Sequence, residues 1–257
     1  MTTFRTAALG LGLLLSVVSD TPLQAQRGAG NESSRLAQEL RNGSDAERSA
    51  AIARILRKGP AERTADVRSA LLGELARLRV ESNLRGAQRA TGVIVDSVGD
   101  HGLYLRQVIE AVSQDSDPAV IEPLCDFIDT GGLVIDALAR FGEQAVGHVL
   151  EIASKSPDVG RTAGALRTLR AIAMVSPLTI ESRGAINTVA RARLTGRQHP
   201  IVVGTAAELG LALGDVIAMA RVRSLANDAS LVRAIGISAP EDIAWLQQRL
   251  VRLLTSR

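Results

Sequence analysis

Two stretches of the chain overlie each other: Val134-Ile-Asp-Ala-Leu-Ala-Arg-Phe-Gly-Glu-Gln-Ala-Val-Gly-His-Val-Leu-Glu-Ile-Ala153 and Ala206-Ala-Glu-Leu-Gly-Leu-Ala-Leu-Gly-Asp-Val-Ile-Ala-Met-Ala-Arg-Val-Arg-Ser-Leu-Ala226. The turn Phe141-Gly142-Glu143 falls on Leu213-Gly214-Asp215. With one inserted residue, Val146, Val149, Ile152 and Ala153 fall on Met219, Val222, Leu225 and Ala226. The offset is about 72 residues, two units of about 36. A middle unit fits between them: Leu166, Leu169 and Ala173, a break at Ser176-Pro177, then Ile186, Val189 and Leu194. Each unit reads as two helices around a break. A single pair of helices leaves an apolar face that only a neighbouring pair can cover, so such repeats stack.

The helical period extends outward from this repeat. Val67, Leu71, Leu75 and Leu78 form one apolar stripe, as do Leu105, Val108, Ile109 and Val112. Ile121, Leu124, Cys125 and Ile128 form another, and Ile243, Leu246, Leu250 and Leu253 close the series. Ser44-Asp-Ala-Glu47 and Ser238-Ala-Pro-Glu241 have the spacing of capping boxes, in which a hydroxyl accepts an open helix amide and a carboxylate reaches back. Asp117-Pro118 predicts a further helix start. Stops are expected at Gly59-Pro60, Gly142, Ser176-Pro177, Gly196 and Gly214. Gly147, Gly164, Gly184, Gly204 and Gly210 fall inside predicted helices, where close helix approach is the expected compensation for their low helix propensity. Trp245 is expected to pack the last helix as a cap. Residues 82–99 fit no unit, and Thr91 to Val98 is the one stretch with strand-like alternation.

In this pattern the chain resembles the HEAT repeat family and its shorter bacterial HEAT-like relatives. Ala137-Leu-Ala-Arg-Phe-Gly-Glu143 followed by Ala145-Val-Gly-His-Val-Leu-Glu-Ile152 carries the resemblance best; Leu211-Ala-Leu-Gly-Asp215 and Ser44 to Leu56 carry it more faintly. The proline usual after the turn acid is missing. The resemblance implies an all-α fold, an α-solenoid of stacked antiparallel helix pairs over residues 34–257, irregular at 82–99. It implies nothing about a ligand.

Residues 1–25 read as a secretory signal: Arg5 is the positive start, Ala7 to Val18 the apolar region, and Leu23-Gln24-Ala25 a cleavage site. Asp20 interrupts the apolar run before it reaches the roughly 20 residues of a membrane span, so no span is expected after cleavage. Residues 26–33 read as a flexible lead-in, and the mature chain is expected in a periplasm or outside the cell.

Composition narrows the function. Aromatic residues make up 2% of the 257, which argues against sugar platforms and single-strand stacking surfaces. The net charge of +3 comes from arginine interspersed with acids, without the one-sided basic cluster of a nucleic-acid binder. Cys125 is the only cysteine, so no internal disulfide is available, and its apolar spacing predicts an inert buried thiol.

No motif in the chain carries catalysis. His101, His148 and His199 lie on separate elements without a second ligand at i+3 or i+4, and Asp115-Ser-Asp117 lacks the rest of a calcium loop. No metal or cofactor is expected. What remains is surface. His148, Glu151 and Lys155 form a polar stripe on one second helix, Arg183, Asn187 and Arg191 on the next, and Arg221 takes the place of His148 in the last. If these helices line one side of a stack, His148, Glu151, Arg183, Asn187, Arg191 and Arg221 form a mixed groove for a protein or peptide. The expectation is therefore a non-enzymatic binding scaffold. The alternatives are a hydrolase or lyase centred on Asp96, Asp100 and His101, or a self-associating envelope component.

Overall fold

The computed structural model describes residues 21–90 and 98–256, with side chains described for 31–84 and 101–256. The described residues are all-helical, without strands. The helices are α1 (Thr21–Asn42), α2 (Asp45–Lys58), α3 (Ala65–Ala90), α4 (Val98–Ser113), α5 (Ile121–Cys125), α6 (Gly132–Phe141), α7 (Glu143–Lys155), α8 (Val159–Val175), α9 (Ile180–Arg193), α10 (Pro200–Ala212), α11 (Val216–Asn227), α12 (Ala229–Ala234) and α13 (Pro240–Thr255). None of them is long and apolar enough to cross a membrane.

Local chemistry sets most boundaries. At α2, the Ser44 hydroxyl accepts the Glu47 amide and the Glu47 carboxylate accepts the Ser44 amide at 2.7 Å, so the first capping box forms as predicted. The second does not. Ala239 occupies the N-cap of α13 without a side-chain bond, because Pro240 takes the first helical position and shifts Ser238 outside it. Gly142 and Gly214 end α6 and α10 at φ of 56° and 69°, the left-handed region that favours glycine. Asp117-Pro118 opens only a single 3₁₀ turn before the short α5. The expected lead-in, residues 26–33, belongs to α1. Residues 82–90 continue α3, and the strand-like alternation of 91–97 lies outside the described residues.

Packing follows chain order. From α1 to α9, each helix packs on its successor-but-one, giving an even row through α10 and an odd row through α11. α13 packs on the last helix of each row. The substantial contacts of α1 reach no further than α3. The predicted stripes supply the core: Val67, Leu71, Leu75 and Leu78; Ile121, Leu124, Cys125 and Ile128; and Ile243, Leu246 and Leu250 are all buried. α8 and α10 are buried around most of their circumference, including Thr162, Thr168 and Thr205. Each of those hydroxyls is satisfied by a carbonyl; Thr168 donates to Gly164 at 2.9 Å and Thr205 to Ile201 at 2.8 Å. Trp245 is only partly covered by the last helix and its neighbours. It is 39% exposed, and the sealing falls to its buried neighbours on α13.

Helix C-termini leave carbonyls without intrahelical partners. Here side chains from the next-but-one helix claim several of them. Arg140 on α6 donates to the Ser113 carbonyl at the end of α4. Arg193 on α9 donates to Ala153 and Ser154 at the end of α7, both at 2.9 Å. Arg221 on α11 donates to Leu194 beyond α9 at 3.2 Å, and Gln247 on α13 to Leu225 and Ala226 on α11. A guanidinium has five donors in a planar fork and a fixed charge, which complement the negative end of a helix.

Glycines divide into two groups. A Cβ on Gly164 would lie 2.2 Å from the Ile128 carbonyl oxygen, and one on Gly210 would lie 2.6 Å from the Ala218 Cβ. These are the close approaches the sequence suggested, and Gly204 is a third, against Arg249. Gly147 and Gly184 have nothing within 4 Å, so close approach does not explain them.

Candidate functional site

α7 and α9 lie side by side with both ends aligned. At their starts, Glu143 accepts from the Thr179 hydroxyl at 2.8 Å and from the Ser182 hydroxyl. These hydroxyls, Ser182 first, hold the Glu143 carboxyl below its ordinary range. At their ends, Arg193 joins the two helices as described above. His148 and Glu151 on α7 and Arg183 on α9 are exposed. Glu151 pairs with Lys155 at 3.1 Å, a screened surface pair of small energetic weight. Asn187 is half-buried, and its Oδ1 is buried without a hydrogen-bond partner.

The last two predicted groove residues are committed elsewhere. Arg191 makes a bidentate pair with Asp215, at 2.7 and 2.9 Å, and Arg221 caps the Leu194 carbonyl. The Asp215 side chain is 1% exposed and also receives the Ile217 and Ala218 amides as the N-cap of α11. Burial pushes the Asp215 carboxyl up, but Arg191 and these amides together bring it below its ordinary value. The joint places the start of α11 against the end of α9, whereas α7 and α9 meet start to start. His148, Glu151 and Arg183 are thus exposed on the adjacent helices α7 and α9 and Asn187 is half-buried there, whereas Arg191 and Arg221 are bonded into the α9–α11 joint. The sequence repeat hides this, because the change of stacking depends on a bond spanning 24 residues.

The alternative catalytic centre gathers differently. Asp96 lies outside the described residues, and so does the Asp100 side chain. His101 Nδ1 stands 3.7 Å from Glu81 Oε2, at the edge of a polar network between α3 and α4. In that network buried Glu74 accepts from Arg77 Nε at 2.9 Å, from Arg77 Nη2 at 2.7 Å and from the Tyr104 hydroxyl at 2.7 Å. Burial, and then the bond and charge of Glu74, push the Tyr104 phenol far up, while Glu74 raises Arg77. Both donors are therefore locked in their protonated forms, which suits a tie between helices. Burial pushes the Cys125 thiol up to about 12, so it is protonated and unreactive at neutral pH.

Among the described residues no group of three or more His, Cys, Asp or Glu side chains is placed to hold a metal ion. A hollow of about 440 Å³ lies between α4 and the start of α6, and among the described residues Arg106 is the only charged group on its wall. His199 has a structural place, its Nδ1 accepting the Ile201 amide at 3.2 Å as the N-cap of α10. Sequence reasoning missed a stripe on α13, Trp245, Arg249, Arg252 and Ser256. Its spacing of i, i+4, i+7 and i+11 was the available signal.

No family model matches the chain, no curated protein matches it, and no solved structure matches it.

Proposed function

We propose that this chain is an exported, non-enzymatic α-solenoid of the HEAT-like kind, which holds a protein or peptide partner against the joined face of α7 and α9. The solenoid reading is supported by packing between helices close in chain order and by the absence of substantial contacts from α1 to helices beyond α3. A closed bundle would bring its first and last helices together, whereas a stack leaves long surfaces for extended partners. Export is read from the first 25 residues. A cut after Ala25 keeps the buried Leu36, Ala37 and Leu40 of α1 in the mature chain.

The observation that carries the binding role is the register of α7 and α9. Two helices tied at both ends present His148, Glu151 and Arg183 on a rigid surface, with open space over Gly147 and Gly184. Rigid presentation lowers the ordering entropy lost on binding, and Arg183 offers a planar fork for a carboxylate. The test is a photo-crosslinking residue at position 148 or 188 in cells that express the mature chain. A discrete protein adduct that disappears in Arg183→Glu supports the reading. Absence of an adduct, or one indifferent to Arg183→Glu, overturns it. N-terminal sequencing of the envelope fraction tests export; a chain retaining Met1 in the cytoplasm overturns that part.

A further inference from the structure

The side of α13 that flanks its buried stripe carries Trp245, Arg249, Arg252 and Ser256. This side borders two adjoining hollows that share Leu253 and Ser256, one of about 350 Å³ between α8, α10 and α13 and one of about 340 Å³ along α13 itself, together termed the cleft. Arg249 is held at the centre of it. Its guanidinium pairs with Glu208 at 2.5 Å and stacks over the Trp245 ring at 5.3 Å from the centroid. Gly204 on α10 makes room behind it, since a Cβ there would lie 2.9 Å from Arg249 Nε. The middle of a helix disfavours glycine relative to alanine, so this position gives up local stability where Arg249 crosses.

Among the described residues the charges of the cleft do not balance. Arg170 also pairs with Glu208, at 3.4 Å, so one carboxylate serves two arginines, and Arg252 is exposed and in no ion pair among the described residues. Among the described residues three guanidinium groups and one carboxylate line these hollows, beside a tryptophan 39% exposed and the apolar Leu253. Tryptophan and arginine are the side chains that contribute most per residue when an interface closes over them. An occupant that complements this cleft carries carboxylates for Arg170 and Arg252 and an apolar side chain for Trp245 and Leu253. We infer that the α8–α10–α13 cleft is a second docking site, separate from the α7–α9 face, and that it takes an acidic peptide segment with interspersed apolar residues.

Trp245 is the only tryptophan of the chain, so its fluorescence reports on this site alone. The experiment titrates the full mature chain with a synthetic hexapeptide of four glutamates and two leucines. The expected result is a saturable change in Trp245 emission that weakens as salt rises. Arg252→Ala should lower the apparent affinity about fivefold, the upper range for one exposed charge contact. Arg183→Ala should leave it unchanged, which separates this site from the α7–α9 face. Arg252 is exposed and in no ion pair among the described residues, so its variant is expected to keep the fold, as circular dichroism will verify. The inference is overturned by the lack of a saturable change, by unchanged affinity in Arg252→Ala, or by an equal response to the lysine version of the peptide. An equal response to inorganic phosphate alone would show a generic anion site and overturn the peptide assignment.

Discussion

The first four helices and the helices from α6 onward both use ion pairs, but the second group adds arginine and glutamine side chains on helix-end carbonyls. At the front, carboxylates meet cations along helix faces. Glu39 pairs with both Arg35 and Arg54, Glu32 with Lys58 at 2.5 Å, Asp66 with Arg41 at 2.5 Å, and Glu74 and Glu81 with Arg77. At the back, arginines and a glutamine also reach the open carbonyls of helix ends, Gly164 admits the Ile128 backbone, and ion pairs join Arg191 to Asp215 and Glu208 to Arg170 and Arg249. Buried Arg63, which donates to the Ala111 carbonyl at 2.6 Å, is a front-half member of the second kind. Ion pairs between long side chains adapt to many offsets, whereas a guanidinium on the last carbonyls of a helix, or a backbone against a glycine, defines one offset.

The largest effect is expected at Gly164. Gly164→Ala would place a Cβ 2.2 Å from the Ile128 carbonyl oxygen, so α8 or the turn before α6 must move. We expect a loss of about 3 kcal/mol in urea unfolding, the upper range for overpacking. A loss below half of that would show that backbone contact does not define the back half. Glu74→Ala is the matching test at the front. It strips the acceptor from Arg77 and Tyr104, and because Arg77 keeps Glu81 and is one-third exposed, the expected loss is about 2 kcal/mol. A loss under about 0.5 kcal/mol, within the noise of ordinary surface substitutions, would remove the network as a tie between α3 and α4.

Asp215 sharpens the comparison through pH. Its carboxyl lies lower in the folded chain than in the unfolded one, so its contribution is complete above the unfolded carboxylate pKa of about 3.9. That contribution is lost as pH falls through the lower folded value. Asp215→Asn should therefore flatten the decline of stability below about pH 4, relative to the parent chain. Unfolding midpoints at pH 7 and pH 3 measure this; parallel declines in the two proteins would show that the α9–α11 joint does not depend on the charge. The smallest effect is a gain. Gly147→Ala, on an open helix face, should stabilise by about 0.5–1 kcal/mol, and a loss instead would reveal a neighbour that the open space does not show.

Legibility in the sequence followed locality. The Gly142 and Gly214 turns, the Ser44 capping box and the buried stripes depend on residues within a few positions of each other, and these were read directly. The Ser238 box failed because Pro240 offered a competing start at the same place. The lead-in at 26–33 was misread because its glycines and polar residues have low helix propensity, while Leu36, Ala37 and Leu40 further along α1 are buried by tertiary contact. At the candidate face, His148, Glu151 and Arg183 were legible as exposed positions of amphipathic helices. The roles of Arg191 and Arg221 were not, since an arginine in a solvent stripe and one capping a distant carbonyl have the same local pattern.

By itself, then, the order of residues determined that the chain is helical, where many helices stop and which side of each is apolar, because those properties arise from propensity, period and capping over one or two turns. Only the tertiary structure decided how the helix pairs are offset, which arginines remain exposed and why Gly164 and Gly204 are glycine. Those outcomes depend on contacts between residues 24 to 45 positions apart, such as Arg191 with Asp215 and Gly204 with Arg249, and no local pattern encodes which distant group will arrive.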